Sequence, residues 1–302
     1  MASWFTDFAT AREAELRTSR AAEARKALVD AFENLLAVVE ATADPTRTAR
    51  LLVALEAVFR RIGSDARALA YHERLAPHLA GLEPRLRVRV EVVHATHLAA
   101  LGREADAERA YASAIATARR TGDAALVGYA LYRAHVLVHY GPAALAALER
   151  RLREATSLLA EHGSTWDRAA ADQALGLVLL HLGRGDESRE ALERAIAQMR
   201  RGRLSSLLGP ALNNLGHLEG RAGDWEAAAA CLREALGAAR DDGDKRLECV
   251  VRRNLGECAL RDGDYPAAHA WLESASAIAA DVGVARIRGR RLLPRRDGAP
   301  RR

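Results

Sequence analysis

Twelve of the 22 glycines fall on two ladders. Gly63, Gly102, Gly141, Gly183, Gly223 and Gly263 form the first, with steps of 39 to 42 residues; Gly81, Gly122, Gly163, Gly202, Gly243 and Gly283 form the second, with steps of 39 to 41. The ladders are offset by half a period, and each gap holds one amphipathic segment. Glycine past a helix end accepts the left-handed conformation that closes the helix without a Cβ clash. Asp123, Ser164, Asp224, Asp244 and Asp264 follow rungs, where a side-chain oxygen can accept from the free N–H groups of the next helix. Pro142 and Pro266 fall in first-turn positions, where a missing N–H costs little. A chain punctuated this way is an internal repeat of helix, turn, helix, turn.

Composition agrees. Alanine, leucine, glutamate and arginine dominate, and aromatics are 5%, a mixture that favours helix over strand. Small residues stand five places after each first-ladder glycine: Ala68, Ala107, Ala146, Ser188, Ala228 and Ala268. Four later come Tyr111, Leu192, Leu232 and Leu272 in the clearer units, then Ala114, Ala195, Ala235 and Ala275. Small, large, small on one helix face is the alternation that lets a helical hairpin close.

The stretches "NNLGHLEGRAGDWEAAAACLREAL" and "RNLGECALRDGDYPAAHAWLESA" resemble tetratricopeptide repeats, through Leu-Gly in the first helix, Gly-Asp-aromatic at the turn and the spaced small and large residues. The units within 209–281 carry the resemblance best and the one at 127–162 is the most degenerate. The period of about forty exceeds the family's usual 34. It is similar to the longer repeats of maltose-activator-type and peptide-sensing bacterial regulators. A phosphate-binding loop and a helix-turn-helix, which the first of these comparisons would require, are not seen. The resemblance implies an all-α, right-handed superhelix of about six hairpins. The expected division is 1–44 as an N-terminal helical cap, 45–283 as the repeat array and 284–302 as a basic, unstructured tail. In the cap, Leu28, Phe32, Leu35, Leu36 and Val39 share one apolar face that would cover the exposed end of the array.

Catalytic and metal chemistry find little support. His135 and His139 stand four apart on one predicted helix, and His94 or His97 is placed to approach them as a third zinc ligand. The competing reading makes them polar residues of a groove or of the interior. Cys231, Cys249 and Cys258 have no zinc spacing and read as small buried side chains. No catalytic residue, cofactor or metal is expected.

The function implied is binding. Carried over by resemblance, the groove-facing positions are Asn213, Asn214, His217 and Arg221, and one repeat on Arg253, Asn254, Glu257 and Arg261. An asparagine amide there would both donate to and accept from an extended peptide, and arginines would take its carboxylates. The alternative keeps the asparagines as ties between helices. The expected partner is a protein or peptide segment bound by an adaptor or sensor. A second reading is a transcription regulator whose tail touches DNA: residues 286–302 hold eight arginines and one aspartate, against a net charge of +5 for the whole chain. With no long apolar run and no signal-like start, a cytoplasmic location is expected.

Overall fold

The computed structural model describes residues 2–137 and 142–281. Among them all regular structure is helical. Three short helices come first: α1 (Ala2–Glu15), α2 (Ala21–Asp30) and α3 (Phe32–Ala41). Six antiparallel hairpins follow. They are α4 (Pro45–Ile62) with α5 (Asp65–Leu75), α6 (Pro84–Ala100) with α7 (Glu104–Arg120), and α8 (Ala124–Arg133) with α9 (Pro142–His162). Then come α10 (Thr165–His181) with α11 (Gly185–Gly202), α12 (Ser205–Ala222) with α13 (Trp225–Asp241), and α14 (Lys245–Arg261) with α15 (Tyr265–Asp281). The first helices line the inner, concave side, and the second helices form the outer layer.

The turns form as their residues require. Seven rungs, Gly223 with φ +91° the furthest among them, take a positive φ. All five capping side chains accept backbone bonds; Asp224, for instance, takes the N–H of Ala227 at 2.9 Å. At the 202 rung the left-handed residue is instead Arg203 (φ 53°), because Gly202 is still the last residue of α11. Gly141 and Gly283 lie outside the described residues.

Within hairpins, Ala68, Ala107, Ser188, Ala228 and Ala268 are all essentially buried. The Leu-Gly glycines show why the helices can approach so closely. A Cβ on Gly216 would stand 2.9 Å from Leu232 Cγ and 3.1 Å from the Ala228 carbonyl, and Gly176 and Gly256 meet Leu192 and Leu272 in the same way. The third hairpin departs from the expected register. Ala146 is exposed, and α9 instead buries Leu145, Leu148, Leu152, Ala155 and Leu159, with Leu159 against Gly128. Here α8 is only ten residues and continues into a 3₁₀ turn over Ala134–Leu137, while α9 runs to 21 residues, so the crossing point moves along the helix.

The N-terminal helices do more than cover an end. Leu28, Phe32, Leu35, Leu36 and Val39 do bury, in one cluster with Leu51, Leu55 and Phe59 of α4, and each such side chain stabilises by roughly 1.5–3 kcal/mol. But α1 turns onto the concave side. Its Glu13 pairs with Arg89 of α6 at 2.6 Å. Arg17, just beyond its end, reaches Asp167 of α10 at 3.4 Å and lies over the Tyr129 ring of α8. Arg25 of α2 pairs with Asp242, in the turn before α14, at 2.5 Å. The end of α4 meets the same turn: Arg61 donates to the Gly243 carbonyl, and Arg246 donates to the Arg60 carbonyl at 3.2 Å. Five hairpins therefore bring the chain once around, displaced by about one helix length, roughly 27 Å for 18 residues at 1.5 Å each.

Candidate functional site

Each first helix exposes one inner stripe, and the repeat period puts equivalent stripe positions side by side. On α10 the stripe runs Trp166, Ala170, Gln173, Leu177, His181; on α12 it passes through Pro210, Asn213, His217 and Arg221; on α14 through Arg246, Arg253, Glu257 and Arg261. All eight groove positions expected from the sequence thus lie on α12 and α14, on or beside this stripe.

Their bonding sorts them. Asn254 Nδ2 donates to Asn213 Oδ1 at 2.9 Å, and Arg253 donates to Asn254 Oδ1 at 3.3 Å. The amide of Asn254 therefore ties α14 to α12, the alternative role considered above, and its partner is Asn213 rather than the repeat-equivalent Asn214. Asn214, half-buried, makes no hydrogen bond among the described residues. Arg221 donates to the Leu180 carbonyl at the end of α10 at 3.0 Å. The Arg261 guanidinium lies 5.2 Å from the Trp225 ring centroid. His217 sits among these arginines; burial, and then the Arg221 charge, lower its pKa and favour the neutral imidazole. Glu257 is the one acidic member of the expected set.

The arginines of the two layers are paired differently. On the outer helices a series of them bonds to glutamates one repeat away, although others, such as Arg150, Arg201 and Arg233, have no carboxylate partner among the described residues. Arg119 meets Glu154 at 2.8 Å, Arg153 meets Glu187 at 2.8 Å and Arg200 meets Glu234 at 2.7 Å. On the inner stripe, Arg221, Arg253 and Arg261 have no carboxylate partner among the described residues. Three exposed guanidiniums on one face make the C-terminal part of the groove electropositive.

The remaining histidines do not assemble as expected. His94 and His97 do not approach α8; they gather with His72 of α5, the His72–His94 rings stacked at 5.3 Å. His97 is fully buried and bonds through Nδ1 to Asp65 at 2.8 Å, tying α5 to α6. His135 bonds to the Tyr132 carbonyl at 2.9 Å. Burial holds its pKa at about 4. His139 lies outside the described residues, as does the basic tail. Among the described residues no three His, Cys, Asp or Glu side chains could hold a metal ion, and no helix is long and apolar enough to cross a membrane. Cys249 and Cys258 are buried and Cys231 is half-buried; burial raises the pKa of all three thiols.

A ligand pocket inside the superhelix is compatible with the sequence but not placed by it; the structure has a half-open cavity of about 600 Å³ where α1 and α2 lie over α4, α8, α10 and α12. Its lining comes from seven separate segments, so no local motif marks it.

Comparison with known proteins follows the same geometry. A family model described as tetratricopeptide repeat matches residues 167–241 and again 207–281. One described as anaphase-promoting complex subunit 5 matches 88–140. No curated protein sequence matches the chain. Among solved structures, BtubC (BKLC) from P. vanneervenii is 22% identical, with 80% of this chain and 96% of that one covered and a TM-score of 0.57. A Rap protein complexed with competence and sporulation factor is 17% identical, over 85% of this chain and 70% of that one, at a TM-score of 0.63. The apo form of RapI is 9% identical, over 93% and 99%, at 0.66. At these identities the likeness is one of fold.

Proposed function

With residues 167–281 built of tetratricopeptide repeats and the array around them folded as a repeat solenoid, we propose that the protein is a non-catalytic adaptor or sensor. It binds an acidic protein or peptide segment along the inner faces of α10, α12 and α14. The observation that carries this reading is that Arg221, Arg253 and Arg261, exposed without a carboxylate partner, fall together on one inner face at successive repeat positions. A guanidinium offers a fixed fork of donors that a partner's carboxylate can take two at a time. Asn214 supplies a free amide beside them for a peptide backbone. A Rap protein of this fold has been solved complexed with competence and sporulation factor, which supports a ligand-binding role for the fold. Residues 1–44, 45–283 and 284–302 serve in this reading as covering segment, array and tail, and the protein works in the cytoplasm.

The test is an array of immobilised peptides differing in Asp and Glu content, probed with the wild type and with Arg221→Glu/Arg253→Glu/Arg261→Glu. The wild type is expected to prefer acidic peptides, with affinity falling as salt rises, and the charge-reversed variant to lose at least about tenfold. Asn214→Ala is expected to cost several-fold irrespective of peptide charge. Equal capture by wild type and a folded triple variant would refute the groove assignment.

A further inference from the structure

The half-open cavity shares Trp166, Leu177, Pro210 and Arg246 of the inner stripe but not Arg221, Arg253 or Arg261, and its charges do not balance. Among its lining cations Arg17, Arg25 and Arg133 are matched, to Asp167, Asp242 and Glu56. Arg60, Arg61 and Arg246 also line it, grouped where the end of α4 meets the start of α14, and none has a carboxylate partner among the described residues. Arg61 and Arg246 spend donors only on the Gly243 and Arg60 carbonyls. The half-buried Arg60 guanidinium makes no hydrogen bond or ion pair there at all. Of the remaining carboxylates in the lining, Asp244 caps α14, accepting from the N–H groups of Arg246 and Leu247, and Glu13 is taken by Arg89. Three cations facing one space repel one another, and an anion placed among them relieves that repulsion.

The rest of the wall is different in kind. Trp166, Leu207 and Pro210 give it an apolar and aromatic side. Ser206 adds a hydroxyl whose oxygen is buried without a hydrogen-bond partner, and such a group is costly unless something satisfies it. A volume of about 600 Å³ falls in the range of small-molecule sites. We propose that this cavity binds a small organic anion: a phosphate or carboxylate held by Arg60, Arg61 and Arg246, with an apolar body against Trp166, Leu207 and Pro210. Because the walls include α1 and α2 on one side and α10 and α12 on the other, bound ligand holds the N-terminal helices against the array.

Phenyl phosphate is a probe with both features. Isothermal titration of the full-length protein is expected to show one site, with quenching of fluorescence that is lost in Trp166→Phe. Inorganic phosphate and benzyl alcohol, each carrying one feature, are expected to bind at least about tenfold more weakly. Phenylacetate separates a carboxylate ligand from a phosphate ligand by which of the two binds tighter. Arg60→Gln is the decisive variant, since its side chain holds no structural bond; a loss of about tenfold or more in phenyl phosphate affinity is expected, with melting temperature unchanged. The proposal is overturned if Arg60→Gln binds phenyl phosphate as well as the wild type does. It is overturned equally if the wild type shows no single-site binding up to about 10 mM, a level weaker than any useful affinity. Neither outcome touches Arg221, Arg253 or Arg261, so the cavity and the peptide groove stand or fall separately.

Discussion

The concave face of this array is two surfaces made from one repeat. Toward α6 and the start of α10 it is covered by the chain's own N-terminal helices, through Glu13–Arg89 and Arg17–Asp167, and only the cluster at the end of α4 is left without carboxylates. Over α12 and α14 the first turns meet α2 and the end of α4, but the stretch carrying Arg221, Arg253 and Arg261 has none of the described chain bonded to it through a carboxylate. The helices beneath come from one repeat pattern, although α12 starts without a side-chain cap and the third hairpin shifts its crossing. The difference teaches that repeat identity sets the scaffold, whereas what covers the inner stripe sets what the scaffold can do. A stripe overlain by the protein's own helices makes a recessed cavity; an unoccupied one makes a binding surface.

That contrast can be strained from several directions. Leu28→Ala acts on the covered half alone. Leu28 is fully buried against α4, and its truncation is expected to cost about 3 kcal/mol, read in a denaturant melt. Hydrogen exchange should quicken in 2–62 and in the 242–246 turn while α12–α13 keep their protection. Uniform loss across the chain would mean the two halves are one cooperative unit.

Acid is expected to act more on the covered half than on the open one. His135, held at about 4, and His72, held well below its usual range by burial, are neutral when folded. The unfolded chain takes up protons below about 6.5 and the folded one does not, so stability is complete above that value and is lost as the pH falls toward 4. By pH 5 His135 alone should remove about 2 kcal/mol, before carboxylates with ordinary pKa values titrate. Melting temperatures measured from pH 7.5 to 5 check this, and His135→Asn should flatten the profile.

The smallest effect belongs to the outer layer. Arg119→Ala removes an exposed pair with Glu154 and should change stability by no more than about 0.5 kcal/mol. A loss well above that in a thermal melt would show that the outer ion pairs couple successive repeats more strongly than exposed pairs do.

Much of this was readable from local spacing. Capping aspartates, turn glycines and the Gly216–Leu232 type of contact are set within about twenty residues, and periodicity repeats the signal often enough to be recognised. The third hairpin was misread at Ala146 because α8 and α9 have unequal lengths, which moves the crossing without changing the glycine spacing. The candidate site was legible as a stripe but not as a bonding pattern. That Asn254 pairs with Asn213 rather than matching Asn214 depends on how α12 and α14 are rotated against each other. Least legible were the destination of α1 and the meeting of Arg25, Arg61 and Arg246 with chain ends 182 to 217 residues away. Only two lysines occur among 45 basic residues, so one arginine looks like another until the fold puts it next to a carbonyl or an aspartate.

The meeting of α4 with the turn at 242–246 also constrains how such a protein can change over generations. An open stack of repeats tolerates gain or loss of a unit at little structural cost. Here a duplicated forty-residue unit would carry Asp242 and Gly243 past the arginines that receive them, and a deleted one would leave them short. Copy number is locked by geometry, so descendants of this chain are expected to diverge by substitution within units rather than by adding or shedding them.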